Sequence, residues 1–361
     1  MKLPSISSYL SILSLLSLSS YADTLPTVIT GGGDDFLNIT EPVADNTLID
    51  VTGTSGTAYA GIEGVDITYN LNTTTTAKES FVAYQGNSDF EIKNNIVVNL
   101  DSASWPNTNN LQFTIRNASH LKINSLELVP DNDSVDNYIR FVNDLGGEKS
   151  KITYVGSDGS NPDDEAKKIN NLRGMIYLTN IEFRNENVLT VKSFKMNEHS
   201  VLNMGADLNA ETLYVTASFA INLNGNNFYS KNGLNVEGST VERVITVTFG
   251  TEAGDTSIFA VKGNQVTGID AYVERYNKVR YEFTDYDPTT DFIYMKDIPE
   301  NDNPLSIIGG EYAGFEFVSK EITEGEYAGW TQYYVNIPEP AHIAAILGAL
   351  SLIFVCRRRR S

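Results

Sequence analysis

The chain is poor in residues that staple or catalyse. Cys356 is the single cysteine among 361 residues, which removes intrachain disulfides, Cys-rich zinc sites and iron–sulfur clusters together. Histidine is nearly as scarce. Apart from His342 near the C-terminus there are only His120 and His199, so Ser–His–carboxylate triads have few ways to form, and no Gly-x-Ser-x-Gly elbow supports one. Each of these two histidines reads as a turn residue. A His-Glu-x-x-His motif, a P-loop and a dinucleotide fingerprint are also missing. Positive charge is short: 26 Lys and Arg face 46 Asp and Glu, a formal −20. That excludes nucleic acid as a partner, because a grip on phosphate needs cationic neutralisation. Apolar residues, at 41%, are ample for a core in a chain long enough for two or three domains.

Both ends read as processing signals. Residues 1–22 have Lys2 at the front, an apolar stretch from Ile6 to Leu18, and Ser20-Tyr21-Ala22 at the end. This is the pattern of a secretory signal peptide cleaved after Ala22. At the other end, residues 337–361, Ile337-Pro338-Glu339-Pro340 precedes the apolar run Ala341 to Cys356 and then Arg357, Arg358, Arg359 and Arg360. Sixteen helical residues reach about 24 Å, a minimal span for a hydrocarbon core of about 30 Å. The arginines would complete it by stretching toward headgroups. The positive-inside rule keeps them cytoplasmic and places everything before Pro338 on the far side.

This tail resembles the PEP-CTERM sorting signal of bacterial envelope proteins: a Pro-Glu-Pro motif, one short hydrophobic helix and a terminal basic cluster, in that order. The resemblance covers about the last 25 residues. It implies recognition by a membrane-embedded exosortase as partner, with Pro338, Glu339 and Pro340 as the sorting motif and Arg357 to Arg360 as the membrane-retention signal. It also implies a body at the cell surface or in the extracellular matrix, anchored in the inner membrane by the tail before processing. Without the two ends, the body has 21 basic and 45 acidic residues, about −24. Such a surface repels anionic polymers and lipids unless divalent cations intervene.

The body reads as all-β. Between residues 87 and 250 apolar residues alternate in short pairs separated by Gly, Asn, Asp and Ser, the pattern of strands. The best helical candidate, Pro162 to Leu172, is short and mostly charged. Leu189/Val191, Leu213/Val215 and Leu234/Val236 form one series, and Leu202/Met204, Ile221/Leu223 and Ile245/Val247 a second, interleaved one. Two such series with a period near 22 predict a parallel β-helix, or solenoid, with two inward strands per turn. The Asp-, Asn- and Gly-rich stretch from Pro130 to Leu172 reads as protruding loops or a poorly aligned rung. Asparagine supplies 27 of the 149 residues from Asn87 to Asn235. It suits corners, because it tolerates left-handed backbone and can bond its copies in adjacent turns. A glycan-binding face would need the same residues on one side with aromatic rings.

Residues 23–86 read as an N-terminal β cap. Residues 251–336, with nine of the nineteen tyrosines, read as a small antiparallel sheet or sandwich closing the other end. The carboxylates offer no settled metal site. Asp285, Asp287 and Asp291 imitate the start of a calcium loop, but Thr290 stands in the glycine position and Lys296 replaces the closing glutamate. Surface calcium at Asp131, Asp133 and Asp136, or at Asp158, Asp163, Asp164 and Glu165, competes with plain solvated loops; no other cofactor is expected. Gly32-Gly33-Asp34-Asp35 is similar to fragments of β-helix pectin lyases and polygalacturonases, but it has no Gly-His-Gly companion and reads as a turn. The functional expectation is a non-catalytic structural or adhesive protein that contacts extracellular polysaccharide. The alternatives are a polysaccharide-active β-helix enzyme, lyase or glycoside hydrolase, marked by carboxylates and a basic residue lining a groove on an exposed strand face, and a carbohydrate-binding module marked by exposed coplanar rings.

Overall fold

Short strands with apolar residues at alternate positions cannot bury that face alone, so they must stack against others of the same kind. The computed structural model describes strands from Val28 onward, and side chains at residues 120–123, 139–143, 148–156, 175–237, 241–252, 255–263, 279–298 and 305–337. The described residues form strands and turns, with no helix among them. β1 to β6 lie between Val28 and Ala83, followed by β7 (Asp89–Leu100), β8 (Asn110–Ile115), β9 (His120–Pro130) and β10 (Tyr138–Val142). Next come β11 (Ser150–Tyr154), β12 (Leu172–Thr179), β13 (Ile181–Asn185), β14 (Leu189–Met196) and β15 (Val201–Asn203). β16 (Leu208–Val215), β17 (Phe219–Asn222), β18 (Phe228–Val236), β19 (Arg243–Thr248) and β20 (Ser257–Lys262) continue the series. β21 (Val279–Thr284), β22 (Asp291–Lys296), β23 (Leu305–Ile307), β24 (Phe317–Glu321) and β25 (Thr331–Val335) complete it.

Odd-numbered strands from β1 to β23 make a 12-stranded sheet; even-numbered strands to β22, then β25 and β24, make a 13-stranded one. Up to β24, consecutive strands therefore alternate between sheets, and each of β1 to β21 pairs in parallel with the strand two places on. This topology is compatible with a β-helix or solenoid. The ladders run through both expected region boundaries. Ile67–Leu71 pairs with Ile96–Leu100 across residue 86, and β19 with β21 and β18 with β20 across residue 250. Antiparallel pairing, expected throughout 251–336, is confined to β22–β25 and β24–β25. The stretch from Pro130 to Leu172 supplies β10 and β11, both in register with their neighbours on either side. The helical candidate 162–172 lies outside the described residues except for Leu172, which begins β12.

The core is a set of columns between the sheets. In the odd sheet Leu121, Ile152, Phe183, Leu202, Ile221, Val247, Phe283 and Ile307 stand one above another, and all are buried. Phe183 reaches Phe194 of the even sheet edge-on at 5.9 Å, and Phe283 meets Phe259 likewise at 5.9 Å. The two sequence series are mis-phased. Phe194/Met196, not Leu189/Val191, align with Leu213/Val215 and Leu234/Val236, while Leu189/Val191 align with Leu208/Ala210. The cause is that β14 and β16 each present two inward pairs, their burial alternation changing phase near Ser193 and Thr212. Either pair satisfies a simple alternation. Similarly, Val247 rather than Ile245 sits on Ile221; a two-residue slip preserves the inward face and is invisible to pattern alone. From Leu189 to Leu208 to Phe228 the rungs advance by 19 and 20 residues, and later turns are lengthened at their corners.

Asparagine holds the corners as expected. Asn180 and Asn224 have φ of 53° and 50°, which their short polar side chains tolerate. Asn224 Nδ2 donates to Asn203 Oδ1 at 2.6 Å and to the Met204 carbonyl at 2.8 Å, and Asn203 Nδ2 donates to Glu182 at 3.2 Å. The buried Asn185 donates to the carbonyl of Ala206 at 2.8 Å. His199 occupies a turn with φ of 57°. His120 does not. It lies on β9, with Nε2 2.7 Å from Thr153 Oγ1 on the neighbouring rung.

Because Ile221 is sealed between two rungs, Ile221→Ala should lower unfolding free energy by about 2–5 kcal/mol, whereas Ala220→Ser on the outward face should change it by less than about 0.5 kcal/mol. Denaturant midpoints of the two variants measure the difference.

Candidate functional site

The C-terminal end of the stack brings together polar and aromatic residues capable of recognition. An open end leaves the last rung's apolar side chains uncovered. Here β24 and β25 fold back as an antiparallel hairpin, and Phe317 covers the end by packing edge-on against Phe283 and Tyr286, each at 5.6 Å. Burial, and then the nearby Asp291 carboxylate, push the Tyr286 hydroxyl well above the ordinary tyrosine range.

Two copies of one loop flank β24. Gly310-Glu311-Tyr312-Ala313-Gly314-Phe315 and Gly325-Glu326-Tyr327-Ala328-Gly329-Trp330 share five of six residues and the same backbone. Their glycines have φ of 83° and 80° in the first loop and 83° and 77° in the second. Gly314 N donates to Ile307 O and Phe315 N to Tyr312 O; Gly329 N donates to Ile322 O and Trp330 N to Tyr327 O. Positive φ at both ends of each loop explains why glycine recurs there. In each, the tyrosine meets the following ring edge-on, at 5.8 Å for Tyr312–Phe315 and 5.7 Å for Tyr327–Trp330. The sequence reading missed this repeat. Its signal was present as Gly-Glu-Tyr-Ala-Gly-aromatic recurring after fifteen residues, too short to stand out against alternation.

The loops serve different places. Tyr327 stacks on Tyr294 at 4.1 Å and 8°, and Lys231 lies 4.8 Å from the Tyr229 ring while its Nζ is 2.8 Å from Glu326. Tyr229, Ala260 and Tyr294 are in register on the outward face of the even sheet. The small residue makes a notch for Tyr327, and Ala260 is fully covered although it points outward. Burial, followed by the neighbouring Tyr229 hydroxyl, pushes Tyr327 well above the usual tyrosine range. The rings of this second loop are therefore spent on fastening the hairpin. The first loop leaves Phe315 48% exposed.

Beside that ring the even sheet extends two strands past β22, whereas the odd sheet extends only β23 past β21. The missing rung leaves a cleft of about 500 Å³ lined by Arg280, Glu282, Ser306, Phe315, Glu316 and Tyr333 among others. Arg280 and Glu282 alternate outward from Tyr281 and Phe283, and Ser306 stands opposite Glu282 in register. Arg280 Nε is 3.0 Å from Glu242 Oε2. Two carboxylates, a guanidinium, hydroxyls and an open ring can bind a polyol by hydrogen bonds and ring stacking.

Other expected sites are not assembled there. Asp285, Asp287 and Asp291 form a closed turn: Asp287 accepts bonds from Thr289 N and Oγ1, and the buried Asp291 accepts them from Thr251 Oγ1 at 2.6 Å and Asp287 N at 2.8 Å. No group of three His, Cys, Asp or Glu side chains suited to a metal ion occurs among the described residues. Gly32 to Asp35, Asp131, Asp133, Asp136, Asp158, Asp163, Asp164 and Glu165 lie outside the described residues, as do residues 1–22, Pro338, Glu339, Pro340 and Arg357 to Arg360. Among the described residues no helix is long and apolar enough to cross a membrane. Comparison with known proteins yields no match, whether to a family model, a curated protein or a solved structure.

Two outcomes follow. Ala260→Phe should fill the notch, displace Tyr327 and expose Trp330, seen as red-shifted emission in a Trp105→Phe background with a stability loss of about 1–3 kcal/mol. Burial raises the Asp291 pKa above its ordinary 3.8, despite the hydrogen bonds that oppose the shift. The folded state thus holds that proton more tightly than the unfolded chain, and the stability this contributes is complete below about 3.8 and lost as pH rises through the raised value. Acidification from neutral pH should therefore stabilise the wild type more than Asp291→Asn, measured by denaturant midpoints across that window.

Proposed function

We propose that the chain is an exported structural or adhesive protein of the cell surface or extracellular matrix, with a β-solenoid body and a PEP-CTERM tail sorted by an exosortase. The observation that carries this reading is the uninterrupted parallel pairing from β1 to β22. Twelve strands of one sheet at about 4.8 Å apart extend about 50 Å, a stiff body that repeats an outward face rung by rung. Repetition of weak contacts along such a face builds avidity without chemistry. The position of β25, the last described strand, is consistent with the sorting reading: it ends at Val335, three residues before Pro338 in sequence. The net acidity suits a soluble existence outside the membrane.

The cleft favours a second reading, a polysaccharide-active enzyme, because Glu282, Glu316 and Arg280 line one groove. Depolymerisation of a matrix glycan that disappears in the Glu282→Gln, Glu316→Gln double variant would favour it.

The sorting reading is tested by replacing Pro338, Glu339 and Pro340 with alanine and following the protein by cell fractionation. The full-length form should accumulate in the inner membrane at the expense of the surface or medium. Unchanged processing, or intact wild-type chain in the cytosol, would overturn it.

A further inference from the structure

We infer that the cleft between β23 and the hairpin is a binding groove for a polysaccharide of amino sugars with free ammonium groups. This names a ligand for the non-catalytic surface protein proposed above and rests on that reading. Phe315 is the starting point. Among the described residues it is the only aromatic ring in the set of exposed large apolar side chains. Its counterpart Trp330, in the twin loop, is buried. The same loop backbone thus spends one ring inside the fold and holds the other out, braced edge-on by Tyr312. A fixed, half-open ring beside hydroxyls and planar polar groups is a stacking platform for a pyranose.

Charge selects the kind of sugar. Glu282 and Glu316 face the groove, and the guanidinium of Arg280 is already opposed by Glu242 at 3.0 Å. The lining is therefore net negative within a strongly acidic chain. A uronic-acid polymer is repelled, whereas a glucosamine ring brings an apolar face for Phe315 and an ammonium for a carboxylate. A cleft of about 500 Å³ lies within the usual range of about 300–1,000 Å³ for ligand sites. An extended peptide adding to the edge of β23 is less suited, because that strand has three residues and offers few backbone hydrogen bonds.

The test is calorimetric titration of the purified full-length chain in detergent micelles with three probes: a glucosamine hexamer, an N-acetylglucosamine hexamer and hexalysine. The glucosamine hexamer should bind saturably and most tightly. Phe315→Ala should weaken both sugars about tenfold. The Glu282→Gln, Glu316→Gln pair should weaken the glucosamine hexamer by at least as much while sparing its acetylated counterpart. All three substituted residues line an open cleft, and unchanged circular dichroism checks that the variants remain folded. Absence of saturable glucosamine binding overturns the proposal, as does binding that survives both variants. Hexalysine binding as tight and as sensitive to the same changes also overturns it, in favour of peptide or simple cation capture. A chain that is exported and processed yet binds no glucosamine rejects the groove alone; one that binds but stays in the cytosol rejects the export reading alone.

Discussion

A single rung of this protein has no inside. Each strand turns its apolar side chains to one face, and only the rung above, the rung below and the opposite sheet can take them out of water. In-register stacking is therefore the constraint on which everything else depends. It satisfies backbone donors and acceptors along the stack and converts small separate clusters into continuous columns such as Leu202–Ile221–Val247. With a single cysteine in the chain, no intrachain disulfide holds these columns.

Two difficulties follow from stacking, and the chain meets them with different chemistry. At the corners the backbone must reverse without wasting polar groups, and asparagine does both tasks by accepting left-handed geometry and bonding to the adjacent rung. Asn224 bonding to Asn203, and Asn203 to Glu182, is such a stair. At the terminal rung the ladder must stop. A parallel strand there would present the same open end again, so the change to antiparallel pairing in β24 and β25 ends the series and lets Phe317 cover the core. The repeated loops then divide the work: the Tyr327 copy fastens the hairpin to the outer face and the Tyr312 copy borders the cleft.

The cleft is a by-product of that closure. One sheet outruns the other by a strand, and the vacated place collects side chains from three different levels of the stack. Arg280 and Glu282 come from β21, Ser306 from β23 and Phe315 from the loop before β24. Nothing about their individual neighbours in sequence distinguishes them from other surface residues, which is why a reading by motif found turns and calcium-like fragments and passed over this site.

Much of the architecture was legible along the chain because strand alternation is local. The all-β class, the interleaved apolar pairs and the corner asparagines follow from the residues themselves. Register did not follow, since Leu189/Val191 and Phe194/Met196 satisfy the same pattern and only contact with the neighbouring rung selects between them. The division at residue 250 was drawn from a change in tyrosine and asparagine content, yet β18 and β19 carry their ladders straight across it, because pairing depends on inward-facing shape and not on overall composition. By itself, the sequence determined that apolar side chains would lie on one face of short strands and that its acidic surface would be polar. Tertiary structure alone decided which rung follows which, where the ladder ends and which distant residues share a cleft, because those outcomes depend on the shape of the partner strand, which no stretch of sequence contains.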